Sequence, residues 1–151
     1  MTIKDDFSFQ LPMMIGDIEK CIPHRYPFLL VDRVHSYVKG ESIVASKNVT
    51  GGEPILQGHF PGNPIVPGVI MIEGMAQASA ILGKLTKAAE CDTCLLMEIQ
   101  ETRFRRMVVP GDVLKYDVRI VKARKDFFWF EGEATVEGEL AASARFSAKL
   151  S

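Results

Sequence analysis

Within residues 58–82, "GHFPGNPIVPGVIMIEGMAQASAIL", His59 stands at the mouth of a loop rich in proline and glycine, and Glu73 interrupts a run that is otherwise almost wholly apolar. A carboxylate taken out of water without a partner is costly, so a buried glutamate tends to take up a proton and becomes able to donate it near neutral pH. A histidine of ordinary pKa is mostly neutral there and can accept one. Two titratable groups whose surroundings push their proton affinities apart are the makings of an acid–base pair. Each has a purely structural alternative: Glu73 bonding Gln77 one turn further along, and His59 serving only to shape a turn.

A third element stands beside them. The first backbone N–H groups after Pro67 lack helical partners and carry the positive end of the helix dipole, so the Gly68 N–H is placed to hold a carbonyl oxygen that gains negative charge. Base, acid and oxyanion donor together suit removal of a proton next to a carbonyl with departure of a β-hydroxyl as water.

These groups need a scaffold. Residues 58–68 hold three glycines and three prolines, which excludes helix and central strand and predicts a stiff loop. From Val69 to Leu82 the chain is apolar on nearly every side, which predicts a helix surrounded by protein, with Pro67 in its first turn. Upstream, "MIGDIEKCI" reads as a short amphipathic turn, and the later part of "PHRYPFLLVDRVHSYV" with "IVASKNVT" reads as a hairpin turning at "KGES". Downstream lie four strand-like runs. In one of them Leu114, Tyr116, Val118 and Ile120 alternate with Lys115, Asp117 and Arg119, the period of a half-buried strand. About six strands and one buried helix predict an α+β domain, a curved antiparallel sheet wrapped around that helix.

Other classes of function recede. The 151 residues are the size of one domain, without repeats or linkers, so residues 1–151 are expected to form a single unit. A formal charge of −1 and the lack of a known binding motif argue against nucleic acid. Lys4, Asp5 and Asp6 interrupt any signal-like core, and no apolar run is expected to span a membrane, so a cytoplasmic protein is expected. Cys21, Cys91 and Cys94 are too few for a disulfide framework, and Cys91-x-x-Cys94 lacks the second ligand pair that zinc requires, so no metal is expected.

The stretches "PHRYPFLLVDRV", "KNVTGGEPILQGHFPGNPIVPGVIMIEGMAQASAIL" and "RFRRMVVPGDVL" closely resemble the 3-hydroxyacyl-[acyl-carrier-protein] dehydratases of bacterial type II fatty acid synthesis, from about Ile22 to the C-terminus. The resemblance implies a hot-dog fold and a homodimer, commonly assembled as a trimer of dimers. It implies conversion of (3R)-3-hydroxyacyl thioesters to trans-2-enoyl thioesters without a cofactor. It carries the catalytic histidine onto His59 of one subunit and the catalytic glutamate onto Glu73 of the other, with the thioester carbonyl at the Gly68 amide. Phe60, Pro67 and Val69 are expected to contact substrate beside Gly68. The dehydratase/isomerase branch places aspartate where this chain has Glu73, so simple dehydration is expected. Gly74 departs from the alanine common in the family, and Met97 and Ile99 fall where the tunnel is lined.

Arg103, Arg105 and Arg106 precede one turn, and Lys122 and Arg124 end the next strand, so the two groups are expected to merge into a basic patch. Because the carrier protein of that family is acidic, this patch is the expected docking site. The rival readings are a thioesterase on the same fold and a non-catalytic acyl-chain binding module.

Overall fold

The computed structural model describes residues 8–87 and 91–151. A short helix α1 (Ile15–Cys21) leads into a hairpin of β1 (Arg33–Val38) and β2 (Ser42–Asn48), then a five-residue helix α2 (Pro54–Gly58) and the long helix α3 (Gly68–Lys87). Four further strands follow: β3 (Cys94–Phe104), β4 (Val113–Arg124), β5 (Phe127–Val136) and β6 (Glu139–Leu150). All six strands form one antiparallel sheet in the order β1-β2-β4-β5-β6-β3.

The period-two pattern explains why the sheet has an inner face. Along β4, Leu114, Tyr116 and Val118 are buried and Lys115, Asp117 and Arg119 are exposed. The inner side chains of β2, β4, β5 and β6 meet α3, whose residues from Gly74 to Gly83 are all buried. Small side chains at Ala76, Ala78, Ser79 and Ala80 let the helix lie close on the sheet. By length and composition α3 could cross a membrane, contrary to expectation, but most of it is covered by the domain's own sheet and by α1. An apolar helix of this kind is what a sheet wrapped around a single helix requires.

Two features depart from the sequence reading. Helix α2 forms in "PILQG", where Pro54 stands in the first turn and supplies the φ a helix start needs. Pro67 lies just ahead of α3 rather than inside it, and its carbonyl accepts from the Ile70 N–H at 2.9 Å.

β3 is unlike its neighbours. It bonds β6 on one side only, and nine of its eleven residues are exposed. Leu95, Leu96, Met97, Ile99 and Phe104 all present apolar surface, and the ladder is interrupted between Leu96 and Glu98 and between Gln100 and Arg103.

Candidate active site

The loop that carries His59 is tied to itself and to the connection between β3 and β4. Phe60 and Asn63 exchange both backbone bonds at 2.9 and 2.8 Å, Ile65 N–H donates to the His59 carbonyl at 2.9 Å, and Val66 N–H donates to the Val108 carbonyl at 2.8 Å. Gly62 takes a φ of +73°, which the tight turn requires and a side chain would resist. The His59–Phe60 peptide is cis, and the two rings stack with centroids 4.0 Å apart.

This loop sets the chemistry of the imidazole. His59 Nδ1 lies 2.7 Å from the Ile65 carbonyl oxygen. A carbonyl only accepts, so Nδ1 must carry the proton and donate it, and in the neutral ring Nε2 is left with its lone pair. His59 is therefore preset as a base through Nε2. It lines an open cavity of about 580 Å³ with Ile65, Pro67, Gly68, Val69, Phe104, Arg105 and Met107.

Gly68, at the start of α3, lies under the Phe104 ring, and a Cβ built there would stand 2.7 Å from a ring carbon. A side chain at this position is excluded while Phe104 keeps its place. Gly68, the first residue of α3, lines the same cavity as His59. Pro67 and Val69 line it as well; Phe60 is half exposed and stacks on the His59 ring.

Glu73 lies one turn beyond Val69 on the same face of α3, yet it is not part of the cavity around His59. Its burial is less complete than the sequence implies: the side chain keeps 25% of its exposure within the chain. The apolar residues around it are covered by sheet on the other faces of the helix, and the Glu73 face is the one left partly open. The Gln77 amide Nε2 donates to Glu73 Oε1 at 3.1 Å, the contact weighed above as the structural alternative. His24 Nε2 lies 3.8 Å from the same oxygen.

Gln77 is itself fixed by backbone. It accepts from Leu30 N–H through Oε1 at 2.8 Å and donates from Nε2 to the Phe28 carbonyl at 2.7 Å, which leaves only one way round for the amide. The Tyr116 hydroxyl donates to the Leu30 carbonyl at 3.1 Å. Segment 28–30 is thus pinned at three points, and the residue that pins two of them also holds the glutamate. Burial pushes the Tyr116 hydroxyl well above its ordinary pKa, so it stays a donor.

The sequence reading named His59, Glu73 and Gly68 and missed His24 and Tyr116. Tyr116 was placed only on the buried face of its strand. His24 lies 49 residues from Glu73 in sequence, and no local periodicity reports a contact of that span.

The expected basic patch does not form within the chain, for a topological reason. β3 and β4 are separated by β5 and β6. The row through Arg103 crosses β6 at Ser143, β5 at Glu133 and β4 at Asp117, whereas Lys122 is level with Trp129, Ser147 and Glu98. At ~3.3 Å per residue and ~4.8 Å per strand the two groups stand about 20 Å apart. Lys122 lies over the Trp129 ring at 4.8 Å, and Arg124 is level with Phe127 and Lys149. Arg106 is engaged by Glu139 at 2.8 Å and by the Val136 carbonyl at 3.4 Å. Arg103 and Arg105 make no side-chain ion pair among the described residues, and Arg105 lies on the rim of the His59 cavity.

Cys21, Cys91 and Cys94 are free thiols, and burial pushes Cys21 and Cys94 up to about 12.

The model of the FabA-like domain matches residues 22–145. The 3-hydroxyacyl-[acyl-carrier-protein] dehydratase FabZ of Caulobacter vibrioides is 47% identical over 147 residues, covering 95% of this chain and 91% of that protein. The protein of the same name from a Nitratiruptor species is 46% identical over 142 residues, covering 90% and 96%. Among solved structures, the dehydratase heterocomplex ApeI:P of Xenorhabdus doucetiae matches with a TM-score of 0.77 at 22% identity, covering 95% of this chain and 93% of that one. A hypothetical thioesterase from Streptococcus pneumoniae, solved with coenzyme A, matches with a TM-score of 0.62 at 10% identity, covering 91% and 96%. The last two likenesses concern the hot-dog fold alone.

Proposed function

The chain belongs to the FabA-like family, and we propose that it removes water from 3-hydroxyacyl-[acyl-carrier-protein] thioesters with His59 as base and Glu73 as acid. The activity itself, 3-hydroxyacyl-[acyl-carrier-protein] dehydration in fatty acid biosynthesis, is that of relatives matched across nine-tenths of both chains. The observation that carries the residue roles is the 2.7 Å bond from His59 Nδ1 to the Ile65 carbonyl, which leaves Nε2 free to accept a proton.

His59 Nε2 takes the proton from C2 of a (3R)-3-hydroxyacyl thioester. The electrons of that C–H bond form the C2=C3 bond of a trans-2-enoyl thioester, and the C3–O bond breaks as Glu73 gives its proton to the departing hydroxyl. One water leaves, and the proton gained by His59 is returned to Glu73 through solvent. The Gly68 N–H, at the positive end of α3, holds the thioester oxygen while charge gathers there.

The two side chains serve one substrate when two copies of the chain pair. Glu73 lies outside the cavity His59 lines, on the partly open face of α3. β3 offers an unpaired edge of eleven residues that carries exposed Leu95, Leu96, Met97, Ile99 and Phe104, which is a template for a second β3. A homodimer joined along that edge brings α3 of one subunit against the His59 loop of the other, and three such dimers make the expected hexamer. Acyl carrier protein, which brings the substrate, docks on Arg105 at the cavity rim and on Arg103 two residues before it, and the enzyme works in the cytoplasm.

The test is to incubate the pure protein with 3-hydroxyacyl carrier substrates and weigh the products. Loss of one water in the wild type, with turnover lowered about 10²-fold or more in His59→Ala and in Glu73→Gln, is the expected result. Release of free acid and thiol would favour thioester hydrolysis instead, and near-normal turnover in either folded variant would overturn the residue roles.

A further inference from the structure

Which oxygen of Glu73 carries the transferable proton is set by the neighbours of its carboxyl. Gln77 Nε2 donates to Oε1 at 3.1 Å, and the amide cannot be reversed because its own oxygen takes the Leu30 N–H and its nitrogen meets the Phe28 carbonyl. An oxygen that accepts an N–H is the carbonyl oxygen of a neutral acid, so the O–H belongs on Oε2.

His24 approaches the same Oε1. Its Nε2 is 3.8 Å away, while its Nδ1 is buried with no hydrogen-bond partner among the described residues. A buried N–H without an acceptor is costlier to leave than a bare lone pair, so the neutral ring keeps its proton on Nε2 and points it at Oε1. The separation of 3.8 Å is beyond hydrogen-bond length, and the role assigned to His24 requires it to shorten in the substrate complex, as catalytic hydrogen bonds commonly do. The ring lies nearly parallel to that of Phe28, with centroids 6.3 Å apart and the planes 27° from parallel, and Phe28 belongs to the segment that Gln77 pins.

We propose that His24 is a positioning residue for the acid: with Gln77 it holds Oε1 as an acceptor and directs the proton on Oε2 toward the leaving hydroxyl. This rests on Glu73 being the general acid.

The test compares His24→Phe, His24→Met and His24→Gln with the wild type and Glu73→Gln, on a short 3-hydroxyacyl pantetheine thioester. Phe keeps a ring beside Phe28 and Met keeps bulk, but neither has an N–H; Gln presents one near the place of Nε2. The expected result is a fall in kcat of about 10- to 100-fold for Phe and Met with KM changed little, and recovery to within a few-fold of wild type for Gln. Melting temperatures and near-ultraviolet dichroism identify folded variants, and either Phe or Met suffices. Equal losses in all three, or no loss in the folded Phe or Met variant, would overturn the role of His24 while the wild type and Glu73→Gln still behave as expected. An active Glu73→Gln protein would overturn the assignment of the acid and this inference with it.

Discussion

The Tyr116 hydroxyl fills the space where a methyl group on Gly74 would stand: a Cβ built on Gly74 lies 2.1 Å from that oxygen and 2.4 Å from the ring carbon that bears it. The glycine after Glu73 and the tyrosine of β4 are therefore one unit. The missing side chain lets the phenol reach across α3 to the Leu30 carbonyl.

Gly74→Ala should accordingly destabilise the protein by about 1–3 kcal/mol, the usual range for overpacking a filled core. The same change made in a Tyr116→Leu background should cost less, because the shorter side chain vacates the contact. Urea unfolding of the four proteins in a double-mutant cycle measures the coupling. Additive effects would mean that the two residues do not meet.

Much of the scaffold was legible in the sequence, because it depends on patterns a few residues long. The alternation from Leu114 to Val118 marks a strand with one buried face, and the almost wholly apolar run after Pro67 marks the enclosed helix. What the pattern could not carry was pairing order. Arg103 and Lys122 sit on strands consecutive in sequence, yet β3 pairs with the last strand, so the basic groups end up far apart. The site divides in the same way. His59 and Glu73 stood out by their surroundings along the chain, whereas His24 and Tyr116 act through contacts that span 49 and 86 residues.

Sharing of the site between subunits can be read out by mixing. A dimer of one His59→Ala chain and one Glu73→Ala chain has one site lacking both groups and one lacking neither. Unfolding the two inactive proteins together and refolding them in equal amounts should yield half mixed dimers, and so about a quarter of wild-type activity. A mixture as inactive as its parents, with mixed dimers confirmed by mass spectrometry, would place both groups in one chain.

Arg103→Glu combined with Arg105→Glu should weaken turnover of carrier-linked substrate and spare short pantetheine thioesters, because charges at a rim mainly guide encounter. The loss should shrink as salt is added. Changing Lys122 and Arg124 to Glu, about 20 Å away across the sheet, should leave both substrates unaffected. Kinetics with the two substrates at low and high salt separate these outcomes.

Alkaline conditions should erode stability earlier than the ordinary charge balance implies. Burial raises Cys21 and Cys94 from 9.0 to about 12 in the folded protein. Below pH about 9 both states keep these thiols protonated and their contribution is whole. Above that the unfolded chain ionises first, so stability falls as pH climbs toward about 12, by at most about 1.4 kcal/mol per pH unit for each thiol. Urea midpoints across this range should decline less steeply in Cys94→Ala than in the wild type. Identical slopes would show that Cys94 is not shielded.

The position of β3 in the sheet also has a consequence for how the protein is made. A ribosome delivers β3 and goes on through β4 and β5 before it reaches Glu139, where the partner strand begins. At ~5–20 residues per second the wait lasts several seconds. During that interval β4 and β5 can form a hairpin locally, but Leu95, Met97 and Ile99 have neither a neighbour on their own sheet nor a second subunit to cover them. The nascent chain is most exposed to aggregation in that window, and a stop codon before β6 would strand an apolar ribbon with no place to bind.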